Sequence, residues 1–105
     1  MRTFPRYLST FRRMVNERGQ QLRRLTFEEL KDFPGDNTEV VTVDSRLATI
    51  SVIIQPREAD RLRVVVQGFI RARFLPGKHV ALDGFYKRQD GTVNPMPEDE
   101  YYEFD

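Results

Sequence analysis

The amino-acid sequence predicts an α+β fold in which two N-terminal helices pack on one face of a four- to five-stranded antiparallel meander sheet. Three observations support this fold class. Apolar residues recur at helical spacing early in the chain, they alternate with polar residues later, and residues typical of turns separate the alternating segments. Residues 1–105 are expected to form a single domain with a helical part at 1–35, the sheet at 38–94 and an acidic, aromatic tail at 95–105.

The first helix is predicted at residues 6–18. Tyr7, Phe11 and Met14 lie at helical spacing and would form its apolar stripe. Gly19 follows directly, and glycine often ends a helix because it adopts the left-handed conformation at little cost. We therefore expect the helix to stop at this glycine.

A second, short helix is predicted after Thr26. The segment 26–29 has the form of a capping box, in which the threonine hydroxyl accepts a hydrogen bond from the third helical amide and the side chain of Glu29 bonds the threonine amide. Pro34 and Gly35 are expected to end this helix after about two turns, because proline removes a helical hydrogen-bond donor.

Strands are predicted at roughly 39–44, 46–55, 61–73 and 79–88, with a short fifth strand after the Asp90-Gly91 turn. The strand at 61–73 is expected to lie at the centre of the sheet, with one set of alternate residues facing the helices. Matching its apolar pattern to the neighbouring strands places Ile54 opposite Leu62 and Gly68 opposite Gly84.

In this register Gly68 and Gly84 lie side by side under the helices. Two adjacent glycines leave a depression in a sheet, since neither has a side chain. We expect a large helix side chain such as Phe11 or Phe27 to fill it.

The face of the sheet that points away from the helices, called here the second face, carries more apolar side chains than a solvated face normally does. We therefore predict that the second face is the working surface of the protein. The candidate interaction residues on it are Arg63, Val65, Phe69, Arg71, Arg73, Phe85 and Lys87.

Three coverings of the second face are consistent with the sequence. The tail is the nearest one, because Tyr101, Tyr102 and Phe104 supply apolar area and the acids around them complement the arginines of the face. A symmetric dimer that buries the same patch twice is the second. A different partner, either a protein or a nucleic acid, is the third.

The charges of the chain nearly cancel, to a net charge of +1, but they are unevenly distributed. Residues 1–25 contain seven Arg and one Glu, whereas residues 90–105 contain six acids and no Lys or Arg. Such a distribution indicates either a basic arm for nucleic acid or two ends of one domain that attract each other. The acidic segment in the same chain favours the second interpretation.

No sequence motif points to catalysis, to a metal or to a cofactor. The chain has no cysteine and lacks the glycine-rich loops that bind nucleotides and the serine elbow of hydrolases. Its one histidine, His79, has no partner at the spacing of a metal site. Asp83 lies diagonal to Arg71 in the predicted register, and a cross-strand ion pair is its expected role.

The sequence therefore predicts a non-catalytic protein-interaction or self-associating module that uses the second face. A first alternative is a binder of single-stranded nucleic acid, because arginines follow phosphates and phenylalanines stack on bases. The low net charge and the acidic tail argue against it. A second alternative is a small ligand-binding or enzymatic domain with a dispersed site.

A soluble, cytoplasmic protein is expected, since no apolar run reaches the length of a membrane span and no signal peptide is recognisable.

Overall fold

The elements of the computed structural model, which describes residues 6–34, 37–71 and 77–104, follow one another with short connections. They are α1 (Arg6–Arg23), α2 (Phe27–Lys31), β1 (Thr38–Val43), β2 (Arg46–Glu58), β3 (Arg61–Arg71), β4 (Lys78–Arg88), β5 (Val93–Pro95) and a 3₁₀ helix, η1 (Glu98–Phe104). Within the described residues, the five strands form one antiparallel sheet in chain order. The predicted α+β class and antiparallel meander are confirmed.

The core lies between the sheet and the two helices. Phe11 and Val15 of α1, Leu30 of α2, Val64 of β3 and Phe85 of β4 are all almost completely buried there. Because both helices contribute to this one cluster, they cover the same face of the sheet. In the described part of the chain, no helix is long and apolar enough to cross a lipid bilayer.

Helix α1 runs five residues beyond its predicted end, so the prediction that Gly19 terminates it is wrong. Gly19 is buried within the helix, where α1 packs on β4. A β-carbon at this position would lie 1.8 Å from Oδ2 of Asp83. The glycine therefore permits a close approach between helix and strand.

Helix α2 begins with the predicted capping box. The amide of Glu29 donates to the hydroxyl of Thr26 over 3.0 Å, and the amide of Thr26 donates to Oε1 of Glu29 over 3.1 Å. The helix ends at Lys31 and is shorter than predicted. Pro34 follows three residues later, and Gly35 lies outside the described residues.

The predicted pairing of β2 with β3 is wrong by two residues. Ile54 lies opposite Val64 and not opposite Leu62, whose partner is Pro56. The hairpin turn is tighter than predicted, and a register shift between Pro56 and Glu58 accommodates it. Because the shift is even, every side chain of β2 stays on its predicted face.

The predicted pairing of β3 with β4 is wrong by three residues, which is more consequential. Gly68 lies opposite Ala81, and Gly84 lies opposite Val65. An odd shift moves every side chain of a strand to the other face, because side chains alternate with a period of two. Phe85 and Lys87, predicted on the second face, therefore lie on the helix side.

The two glycines consequently lie on opposite faces of the sheet. A β-carbon on Gly68 would lie 2.6 Å from Cζ of Phe11 and 2.8 Å from Cγ2 of Val15, so the expected aromatic side chain of α1 does fill the space above this glycine. Gly84 faces away from the helices. A β-carbon there would lie 2.7 Å from Cε of Met96, which follows β5.

Candidate interaction surface

The segment after β5 folds back across the second face of the sheet. Val65 and Tyr86 of the sheet form a buried cluster with Met96 and with Phe104 of η1. Ile53, Leu82 and Tyr101 pack against this cluster and are partly buried. The tail therefore covers the part of the second face around Val65 and Tyr86.

Arg63 is the polar centre of this contact and is only 2% exposed. Its Nη1 donates to Oε1 of Glu100 over 2.9 Å, and its Nη2 lies 2.9 Å from Oε2 of Glu103. Its Nη2 and Nε donate to Oε1 of Gln55 over 2.6 and 3.2 Å. The guanidinium also lies 5.0 Å from the centre of the Phe104 ring. Arg63 thus joins η1 to the sheet by two ion pairs and an aromatic contact.

Glu100 also accepts a hydrogen bond from the hydroxyl of Tyr86. This bond is the main reason that the pKa of Glu100 is lowered, and Arg63 adds to the effect while burial opposes it. Burial and, after it, the same bond raise the pKa of Tyr86. For Arg63, burial lowers the pKa, but the bonds to Glu100 and Glu103 together outweigh burial and raise it. These three pKa shifts favour an ionised Glu100, a protonated Tyr86 and a charged Arg63, which are the forms that make the contacts between η1 and the sheet.

Three further hydrogen bonds connect the tail to the backbone and to a polar side chain of the sheet. Nε2 of Gln67 donates to the carbonyl of Phe104 over 2.5 Å. The hydroxyl of Tyr101 lies 3.3 Å from the amide and 3.4 Å from the carbonyl of Gly84, accepting from the first and donating to the second. Tyr101 thereby occupies the edge of β4 next to the short strand β5.

The tail residues differ in exposure. Phe104 is buried and Tyr101 is partly buried, whereas Tyr102 is 77% exposed. The apolar contact of η1 with the sheet therefore depends on Phe104 and Tyr101, and Tyr102 points to solvent.

The candidate interaction residues are dispersed over the two faces. Arg63 and Val65 lie on the second face beneath the tail. Phe69 is half-buried with Nζ of Lys78 4.2 Å from its ring centre, and Arg71 is exposed. Arg73 lies outside the described residues.

Phe85 and Lys87 lie on the helix side of the sheet. Phe85 is completely buried in the core. Nζ of Lys87 donates to the carbonyl of Arg23 over 3.1 Å, at the last residue of α1. Their predicted position on the second face is therefore wrong, because the register of β4 differs from the predicted one by an odd number of residues.

The part of the second face that β1 and the beginning of β2 form lies outside the cluster that η1 covers. We call it the open half; it consists of Thr38, Val40, Thr42, Leu47 and Thr49, with Phe69 at its border. Val40 is 66% exposed and Leu47 is 72% exposed. The sequence prediction did not single out Val40, although the alternation in β1 would have placed it on this face.

Asp83 also lies on the helix side, and the predicted pair with Arg71 is wrong. Its two carboxylate oxygens accept hydrogen bonds from Arg23 over 2.6 and 3.0 Å. Hydrogen bonding of its guanidinium to Asp83 is the main reason that the pKa of Arg23 is raised. His79 is exposed, with its ring 6.4 Å from that of Tyr7 in an edge-on arrangement.

Among the described residues, no group of three or more His, Asp or Glu side chains is close enough to hold a metal ion. The concave surfaces there include one along the exposed side of α1, lined by residues such as Ser9, Arg13 and Gln20. No family model, no curated protein and no solved structure matches this chain.

Proposed function

We propose that this chain is a non-catalytic protein-interaction module whose contact surface is the open half of the second face. The observation that carries the proposal is the exposure of Val40 and Leu47, at 66% and 72%. The two side chains lie on the same face of paired strands, and Leu47 is opposite Thr42, two residues from Val40. They are therefore diagonal neighbours and form one apolar patch.

The surroundings of the patch favour a protein partner over a small molecule. Thr38 and Ser51 hydrogen-bond each other across β1 and β2 over 2.8 Å, and Thr42 and Thr49 flank the two aliphatic side chains. The surface is thus a flat sheet face with hydroxyl groups around an apolar centre. Apolar centres with polar rims are typical of protein interfaces, whereas small ligands bind in clefts.

The nucleic-acid alternative has less support. Arg63, its central cation, is buried and paired with Glu100 and Glu103. Lys87 lies on the helix side and is also buried. A strand of nucleic acid needs a row of accessible cations, and the open half itself carries threonines and aliphatic side chains.

A photo-reactive benzoylphenylalanine in place of Leu47 tests the proposed contact surface. The matched control carries the same group in place of Gln20, which is exposed on α1. Irradiation in an extract of the source cells is expected to give a covalent adduct with another protein from position 47 and none from position 20. An excess of unlabelled protein should suppress the adduct, and an excess of the Leu47→Lys variant should not.

The proposal is contradicted if position 47 gives no adduct beyond that of position 20. It is also contradicted if the Leu47→Lys variant competes as well as the unchanged protein, since the adduct would then not depend on the apolar patch.

A further inference from the structure

Strand β1 forms one edge of the sheet, and in the described part of the chain no strand pairs with its outer side. The amide of Val52 donates to the carbonyl of Asn37 over 2.9 Å, so these two residues form a hydrogen-bonded pair next to the pair of Thr38 with Ser51. Hydrogen-bonded and non-hydrogen-bonded pairs alternate in an antiparallel ladder. The backbone amides and carbonyls of Thr38, Val40 and Thr42 therefore point away from β2.

This edge lacks the features that usually prevent pairing with another strand, namely outward charges, prolines and bulges. The six residues of β1 pair with β2 without a register shift and contain no proline. The one charged residue of the strand, Glu39, lies on the helix side and forms an ion pair with Arg18 of α1. Among the described residues, the outer side of β1 thus presents threonine, valine and backbone groups that no other strand pairs with.

The opposite edge of the sheet is partly covered by the end of the chain. Strand β5 pairs with residues 85–87 of β4, and the hydroxyl of Tyr101 contacts the backbone of Gly84. The far end of β4 begins with the charged residue Lys78. The contrast singles out β1 as the edge that is available for pairing.

We infer that the outer edge of β1, at the border of the open half, binds a second copy of this chain, with the two β1 strands paired antiparallel about a two-fold axis at Val40. The inference goes beyond the proposed function, because it concerns the backbone edge of β1 and not the exposed face of β1 and β2. In this register Val40 lies opposite its own symmetry mate, and Thr38 lies opposite Thr42 of the second copy. All three outward-pointing residues find partners, which gives roughly six backbone hydrogen bonds across the axis.

The charges of the edge are compatible with a second copy. Pairing about Val40 places Glu39 opposite Val41 of the other chain and diagonal to the second Glu39, so the two glutamates are not directly opposed. Like charges directly opposite each other across two strands would be destabilising. Each Glu39 also keeps its Arg18 partner, because that pair lies on the helix side of its own sheet.

The apolar patch becomes continuous in this arrangement. Val40 meets its symmetry mate at the axis, and Leu47 lies diagonal to Val40 in each copy. The four side chains form one row across a ten-stranded sheet. Each Val40 thereby gains an apolar neighbour from the second copy, and the two apolar patches meet at the axis.

Sedimentation velocity on the full chain tests this arrangement, with Val40→Pro and Val40→Thr as the variants. Proline removes an amide that points away from β2, so the monomer should keep its ladder, since proline is tolerated at such edge positions. Threonine retains the amide and serves as the matched control. Over protein concentrations up to about 1 mM, we expect the unchanged chain and Val40→Thr to form dimers in a fraction that rises with concentration. The dissociation constant of the Val40→Pro dimer should be higher by roughly tenfold or more.

Cysteine cross-linking tests the register, because the chain has no cysteine of its own. Val40→Cys should form a disulfide-linked dimer under mild oxidation, since directly opposed residues lie about 5.5 Å apart between Cα atoms. Thr38→Cys should link to Thr42→Cys when the two variants are mixed. Leu47→Cys is the control and should remain monomeric, because three strand spacings, or about 14 Å, separate the two β2 strands.

The outcomes separate this inference from the proposed function. If position 47 captures a different protein while the purified chain stays monomeric, the proposed function stands and the inference is wrong. If the chain dimerises but Leu47→Cys links and Val40→Cys does not, the two copies meet face to face and the edge pairing is wrong. If no adduct and no dimer form, both are wrong.

Discussion

Arg63 shows how a single residue connects η1 to the sheet. A cation removed from water loses several kcal/mol of hydration, and this loss is offset only when its hydrogen-bonding groups are satisfied. Gln55, Glu100 and Glu103 together accept from all three nitrogens of the guanidinium or lie within ion-pair distance of them. Two of these three partners belong to η1, so removing the arginine loosens the tail as well as the sheet.

The first prediction concerns Arg63→Met, which keeps an unbranched apolar side chain at this position and removes the guanidinium and its charge. We expect the free energy of unfolding to fall by about 2 kcal/mol, because Glu100 and Glu103 lose their partner. The expected loss lies below that of a fully buried pair, since Glu103 is 54% exposed and can rehydrate. Urea denaturation followed by circular dichroism measures it.

Arg71→Met is the matched control for this prediction. Arg71 is an exposed arginine of the same strand and face, so its replacement should change the free energy of unfolding by no more than about 0.5 kcal/mol. Equal effects of the two substitutions would contradict the role assigned to Arg63.

At the scale of elements, η1 is a short segment whose position depends on side chains more than on its own helix. A 3₁₀ helix of seven residues has little intrinsic stability. It is held by Phe104 in the apolar cluster, by Tyr101 at the edge of β4 and by the ion pairs of Glu100 and Glu103. Its removal would expose Val65 and Tyr86, which are now buried.

The second prediction concerns a chain that ends at Met96. This truncation keeps the methionine on Gly84 and removes η1, so the apolar cluster of the second face becomes accessible. We expect the truncated chain to associate more strongly than the intact one and to form species larger than a dimer, because exposed apolar area promotes association. Light scattering over a concentration series measures this.

Two single substitutions in η1 serve as controls for the truncation. Phe104→Ala should reproduce part of the added association and lower the free energy of unfolding by about 2 kcal/mol, because a buried ring is lost. Tyr102→Ala should change neither property, since this ring is 77% exposed. If the truncated and intact chains associate to the same extent, η1 does not shield the face.

The register of the sheet illustrates which parts of the fold the sequence determines. The fold class, the capping box of α2 and the face of each β2 side chain followed from local patterns. The pairing of β4 did not, because apolar residues such as Val80 and Leu82 alternate with Ala81 and Phe85, so both faces of the strand looked suitable for the core. Only packing against α1 distinguishes the two registers.

The same ambiguity affected the predicted surface. Arg63, Val65, Phe69 and Arg71 lie on the predicted face, since β3 has one clearly apolar side. Phe85 and Lys87 do not, because they followed the wrong register of β4. The prediction that α1 ends at Gly19 was wrong for a related reason. In one sequence, a glycine that ends a helix cannot be told from a glycine that lets a strand approach the helix.

At the scale of the whole molecule, the groups with altered pKa values define a pH range of maximal stability. The folded-state pKa of Glu100 lies below its ordinary value of 4.5, so its contribution is complete above that value and is lost as the pH falls through the folded pKa. The folded-state pKa of Tyr86 lies above its ordinary value of 10.0, so its contribution is complete below that value and is lost as the pH rises through the folded pKa. Stability should therefore be greatest between these two limits.

The third prediction follows from the acidic limit. The difference in free energy of unfolding between the unchanged chain and Glu100→Gln should be constant near neutral pH and shrink below pH 4.5, because protonation of Glu100 removes the charge that the variant already lacks. Urea denaturation from neutral pH to about pH 3 measures this difference. A difference that stays constant over the whole range would show that the charge of Glu100 does not stabilise the folded state.

The meander order of the sheet has a consequence for folding kinetics. Each strand pairs with its neighbour in the chain, so β2, β3 and β4 can assemble through short loops, which favours rapid folding. Helix α1 and η1, which lie on the two faces of the sheet, close longer loops. In sequence, 60 residues separate Arg23 from Asp83, and 37 separate Arg63 from Glu100. The entropic cost of these two closures differs by only about 0.4 kcal/mol. Refolding should therefore begin in the hairpins and finish with α1 and η1 docking on opposite faces in either order.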